Sequence, residues 1–263
     1  MNRKTLLWIG ALAVLLAAGG LYYFVTQPPP PERAPAPPPP TVAATPPPAA
    51  PPPIANPVPA APAAAALPAL DASDDPLRAD LDGLAGKGTL EGLLRPENLV
   101  RHLVATVDGL PRAHLDLEQR PLRRASGEFL ALGPDDAAVM NPRNAERYAP
   151  YVRVLARLDM HQLAALYFRY YPLFQQAYRD LGNPDGYFND RLVEVIDHLL
   201  ATPDVPEPIR LVRPNVMYQY ADPKLQGLSV GQKLLIRLGP AQRHTALAQL
   251  RALRAAVARP PPQ

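Results

Sequence analysis

The sequence predicts a mainly α fold: a single N-terminal transmembrane helix, a disordered Pro/Ala-rich linker, and a helical distal domain with at most a small β-hairpin element. Three observations carry that prediction. Leu6 to Val25 is an unbroken uncharged run, 19 of the 37 prolines fall between Pro28 and Pro68, and beyond Asp71 apolar residues recur at helical spacing between cap residues. The chain divides accordingly into a cytoplasmic N-terminus (1–5), a membrane span (6–25), a stalk (26–70), a helical periplasmic domain (71–259) and a disordered tail (260–263).

The uncharged run has 20 residues, and at about 1.5 Å of rise each, a helix of that length crosses a hydrocarbon core of roughly 30 Å. Arg3 and Lys4 precede it and no basic cluster directly follows, so the positive-inside rule predicts a cytoplasmic N-terminus. In a bacterium this describes a single-pass inner-membrane protein with its C-terminal domain in the periplasm. A cleaved signal peptide shares the basic start. Here, however, the Ala-x-Ala of the segment, Ala11 to Ala13, lies inside the apolar core, and Leu21 to Phe24 extend that core past Gly19 and Gly20.

The stalk that follows is nearly all Pro and Ala, a composition that blocks helix and sheet hydrogen bonding and favours extended polyproline II. Its 41 residues from Pro28 to Pro68 could reach roughly 130 Å at about 3.1 Å per residue. PxxP repeats such as Pro37 to Pro40 match ligands of aromatic grooves, although this composition generates them by chance.

Helical punctuation begins at Asp75-Pro76, with Leu77, Leu81 and Leu84 on one face. Pro96 and Glu97 open a second helix carrying Leu99, Leu103, Val107 and Leu110. Arg147 to Leu158 continues helical, and Asp159 with Gln162 has capping-box spacing before a run that ends at Leu181-Gly182. Pro172 inside that run predicts a kink or a break. Phe188 to Ala201 is amphipathic, Ser229 and Gln232 cap a helix to Leu238, and Gly239-Pro240 begins the last helix, to about Ala258. Phe129 to Leu132, and Ile209 to Val212 with Val216 to Tyr220, read as strand.

Four segments resemble one family: YAPYVRVLARLD (Tyr148 to Asp159), LYFRYYPLFQQAYRDLG (Leu166 to Gly182), FNDRLVEVIDHLLATP (Phe188 to Pro203) and YQYADPKLQGLSVGQKLLIRLGP (Tyr218 to Pro240). They are similar to the uncharacterised bacterial family named domain of unknown function 3014. That resemblance implies a membrane segment and low-complexity linker ahead of the domain. It implies no activity, ligand or site residue.

Composition narrows the chemistry. No cysteine is present, which excludes disulfides, thiolate zinc sites, iron–sulfur ligation and cysteine nucleophiles. Net charge is +3 with a pI near 9.2, and 71–259 carries 24 basic against 23 acidic residues, no electrostatic case for nucleic acid. His102, His114, His161, His198 and His244 show no ligand spacing, so neither a metal nor a cofactor is indicated. Gly227 to Gly231, GLSVG, matches a nucleophile elbow, but no acid follows Asp222, and Ser229 as an N-cap explains the same letters.

Three constellations remain as candidates. Tyr167, Tyr170 and Tyr171, with Phe174 and Tyr178, form an aromatic ladder that packs a core or lines a groove. Asp190, Glu194 and Asp197 share one helix face, as a solvated seam or as acid–base groups of an envelope hydrolase. Arg243, Arg251 and Arg254 form a stripe on the last helix, within a basic tail of seven cations and no acid after Asp222. That stripe either pairs with the acidic remainder of the domain or faces anionic lipid or cell-wall polymer. With no catalytic set in view, the sequence is read as a non-enzymatic, membrane-anchored interaction protein with a protein or envelope-polymer partner.

Overall fold

A computed structural model describes residues 53–59, 67–116, 118 and 120–258. Leu6 to Val25 lies outside the described residues, as do 259–263. Among the described residues no helix is long and apolar enough to cross a membrane.

Helix α1, Asp74–Ala85, carries Pro76 in its first turn, where the missing N–H costs nothing, and stops at Gly86 with φ 95°. Helix α2, Leu99–Gly109, is capped from a distance. Asp74 at the start of α1 accepts the backbone N–H of Asn98 at 2.6 Å and of Leu99 at 2.7 Å, so the helix starts at Leu99, two residues beyond the Pro96–Glu97 opening expected from the sequence.

A 3-10 segment, Pro142–Tyr148, leads into α3, Ala149–Arg157. Asp159 then opens α4, Met160–Asp180, by accepting from the N–H groups of His161 and Gln162. The break considered at Pro172 does not occur: α4 is one helix through it. Pro172 lies on the exposed side, so its ring removes one helix bond, to the Phe168 carbonyl, away from the core.

Helix α5 is Phe188–Leu200, and α6 is the single turn Pro223–Gln226. Helix α7, Val230–Arg237, begins with the predicted Ser229–Gln232 capping box, and α8 runs Gly239–Val257.

The amphipathic faces meet around α8, which packs on α3, α4, α5 and α7, while α2 packs on α4 and α5. Tyr170, Phe174 and Tyr178, spaced four apart on α4, close over Leu99, Val100 and Val104 of α2 and Phe188 of α5. Ala164, Val193, Ile196 and Val257 join α4, α5 and α8. Gly231 permits α7 to lie close: a Cβ there would meet Leu199 Cδ2 at 2.6 Å and the Leu110 carbonyl at 3.1 Å.

Strands are short. β1 (Ala131–Leu132) pairs antiparallel with β2 (Val139–Met140) in the register Ala131 to Met140, and β3 (Leu211–Val212) pairs with β4 (Gln219–Tyr220) in the register Leu211 to Tyr220. An isolated Val139–Arg210 bridge joins the two hairpins, supported by Met140 N–H to the Ile209 carbonyl and Leu211 N–H to the Ala138 carbonyl. The second hairpin was expected. The β1 partner was not.

Candidate functional site

A polar and aromatic surface lies where the middle of α4, the first turn of α5 and the last turn of α8 meet. It holds a piece of the chain's own proline-rich stretch. Asp190 Oδ2 accepts the Ala55 N–H at 3.0 Å, and its Oδ1 accepts the Asn56 N–H at 2.5 Å and the Asn56 amide at 3.2 Å. Asn189, 1% exposed, donates to the Asn56 carbonyl at 2.9 Å and to the Val257 carbonyl at 3.0 Å, while its Oδ1 accepts the Tyr167 hydroxyl at 3.2 Å. One amide therefore ties the segment, α4 and the end of α8 together.

Beside these bonds an open cleft of about 280 Å³ is left between the segment and the domain, bounded by Ile54, Pro57, Val58 and Pro59 on one side and by Phe168, Tyr171, Pro172 and Tyr187 on the other. The two half-buried residues of the segment, Asn56 and Val58, are two apart, as an extended chain requires. Behind the groove, Gln175 stiffens the wall: its Oε1 accepts the Tyr171 hydroxyl and the Phe188 N–H, and its amide donates to the Gly186 carbonyl. Burial raises the Tyr167 and Tyr171 pKa values above the usual phenol range, which keeps both hydroxyls neutral donors.

The predicted candidates divide around this groove. Tyr171 lines it and Tyr167 braces its polar end. Tyr170 faces the other way, into the core, and donates to Asp80 at 2.8 Å. Of the carboxylates, Asp190 binds the segment, Glu194 is exposed and pairs with Arg191 at 2.9 Å, and Asp197 pairs with Arg254, so each is engaged separately. Among the described residues no group of three or more His, Asp or Glu could hold a metal ion. The arginine stripe divides as well: Arg243 is buried at 7% exposure and pairs with Asp204, Arg254 forks onto both Asp197 oxygens, and Arg251 is exposed.

One contact went unforeseen. His198 Nε2 lies 2.9 Å from Ser229 Oγ, inside the GLSVG motif. The hydroxyl is buried, and it also accepts the Gln232 N–H at 3.2 Å. With one lone pair held by the helix start, the serine serves as a buried cap. The segment at 53–59 was missed too, although a signal existed: Ile54 and Asn56 are the single Ile and single Asn of 26–70.

Fold and site define a helical domain with an extended segment of the chain laid on its surface, held through main-chain hydrogen bonds to Asp190 and Asn189. The family model described as protein of unknown function (DUF3014) matches residues 99–254, more than half of the chain, and the protein belongs to that family. No curated protein and no solved structure matches the chain significantly.

Proposed function

We propose that this is a non-enzymatic envelope protein, anchored in the bacterial inner membrane by Leu6 to Val25, whose periplasmic helical domain binds extended polypeptide segments in the α4–α5–α8 groove. The single observation that carries this reading is the 53–59 segment held on that surface through main-chain bonds at Ala55 and Asn56, with its Ile, Pro and Val side chains lining a cleft opposite Phe168, Tyr171 and Tyr187. Backbone bonds supply affinity independent of sequence, and the apolar wall selects Pro-, Val- and Ile-containing segments low in charge. The membrane anchor is supported by the uncharged run and the basic residues ahead of it, and reach by the proline-rich stretch. The segment belongs to the same chain as the surface it lies on, and such covalent linkage sets an effective concentration on the order of millimolar, which an external peptide must overcome.

The test uses the full chain in detergent and a labelled peptide of sequence 53–59. Wild type should bind it weakly. Ile54→Asp with Asn56→Ala should unseat the internal segment and raise affinity about tenfold or more, and adding Asp190→Ala should abolish binding. Failure of the unseated variant to bind at millimolar peptide would sink the reading.

A further inference from the structure

The two hairpins form one layer. The Val139–Arg210 bridge, with Met140 N–H to the Ile209 carbonyl at 2.9 Å and Leu211 N–H to the Ala138 carbonyl at 2.8 Å, sets the strands in the order β1, β2, β3, β4. Their turns are fastened to each other at one end, where the Tyr218 hydroxyl donates to Asp135 at 3.0 Å and Arg213 lies over the Tyr218 ring.

Side chains alternate across such a layer, so the register assigns each residue to a face. Ala138, Met140, Ile209, Leu211 and Tyr220 face inward and pack with Ile236 of α7. By the same alternation Leu130, Leu132, Val139, Arg210 and Val212 fall on the opposite face. The solvated face of an antiparallel sheet ordinarily reads polar. Here its middle is Leu and Val, with Arg210 and Gln219 toward the β3 and β4 side.

Five of the nine large apolar side chains exposed among the described residues belong to this layer: Leu130, Leu132 and Val212 on the strands, and Val216 and Met217 in the turn between β3 and β4. The last two are 78% and 72% exposed. Apolar surface concentrated in this way marks a contact surface.

The charges around the face select its occupant. Arg213 pairs with Asp135 at 3.7 Å, so each offsets the other. That leaves Arg210 on β3 and Asp136 in the β1–β2 turn, both exposed and neither in an ion pair among the described residues. The face therefore has no net charge to draw an anionic bilayer, and a purely acidic or basic partner would leave one of the two unanswered. A second copy answers both, because a twofold contact is self-complementary and sets Arg210 of each copy against Asp136 of the other. Val212 lies two residues past Arg210 and, by the β2–β3 register, opposite Ala137 beside Asp136. It stands between the two charges, so the twofold axis runs close to it.

We propose that the outer face of this layer, centred on Leu132, Val139 and Val212 and extending to Val216 and Met217, is a twofold interface between two copies of this chain, closed by Arg210 of each copy on Asp136 of the other. The face shares no residue with the surface that holds 53–59.

The chain has no cysteine, so a single introduced thiol reports a contact without background. In the full chain kept in its membrane, Val212→Cys should oxidise to a covalent adduct of twice the 28.5 kDa chain mass, and Leu181→Cys, exposed at the end of α4, should not. Light scattering of the full chain in detergent should show a concentration-dependent dimer. Arg210→Asp and Asp136→Arg should each raise its dissociation constant about tenfold or more, and the two together should restore it. Both positions are exposed, so thermal unfolding should be unchanged, which separates loss of the dimer from loss of the fold.

Association through any other part of the chain would be indifferent to these substitutions. A dimer that survives both single reversals, or that the double variant does not restore, overturns the proposal. So does a Val212→Cys chain that stays a monomer or cross-links to a protein of another mass.

Discussion

The α5 surface and the α7 surface use charge in opposite ways. On α5, Asp190 takes backbone and side-chain N–H groups, Arg191 spans Asp108 and Glu194, and Asp197 takes Arg254, so each charge bonds to another element or to a near neighbour. On α7, Lys233 and Arg237 stand one turn apart, and among the described residues no carboxylate forms an ion pair with either. The first arrangement holds segments together in the folded chain. The second leaves positive charge in reserve on the surface of α7.

The contrast breaks most severely at Asp108, which is 5% exposed. Arg191 Nε donates to its carboxylate at 2.9 Å and Arg191 Nη2 to its carbonyl at 3.0 Å, joining α5 to the end of α2. Arg191→Ala leaves this buried carboxylate with the largely exposed Arg112 alone. A loss of about 3–5 kcal/mol is expected, the usual cost of stripping one partner from a buried pair, measured by urea unfolding. A loss below about 1 kcal/mol would place the pair among ordinary surface bridges and blur the distinction between the two surfaces.

A smaller effect tests neutral against charged use of polar groups. Tyr170 donates to Asp80, and burial, then that carboxylate, push its pKa up to about 12. The folded state favours the neutral phenol, so this contribution is complete below the ordinary tyrosine value near 10 and is lost as pH rises toward 12. Tyr170→Phe should cost roughly 1.5–3 kcal/mol at neutral pH, as for a hydrogen bond to a charged group. The gap between the two proteins should close through the alkaline range. A gap constant to the top of that range would contradict the assignment.

What the sequence disclosed follows from how local each signal is. Helices α4, α5 and α7 were legible because apolar spacing and the caps at Asp159 and Ser229 sit within one or two turns of what they control. The α2 cap was not, since Asp74 reaches it from 24 residues away. Strand β2 contributes two residues and no alternation to read. Tyr171 and Asp190 were each singled out, but nothing local could show that they meet across one groove, or that the ligand between them comes from a stretch whose composition suggests only a spacer. Arg243 looked like part of a surface stripe because the partner that receives it, Asp204, lies in a loop 39 residues earlier.

The smallest effect sharpens the comparison at its edge. Arg254 forks onto Asp197 through Nε and, at 2.9 Å, Nη2, and the carboxylate holds its pKa above the ordinary arginine value. Both side chains remain nearly half exposed, so solvent screening limits Arg254→Ala to a loss within about 1 kcal/mol, shrinking as salt is added. Arg251, exposed on the same helix, should give no measurable change when replaced by alanine. If instead both substitutions abolished association with anionic vesicles while Arg237→Gln left it intact, the reserve of positive charge would belong to α8, and the division between the two surfaces would have to be redrawn.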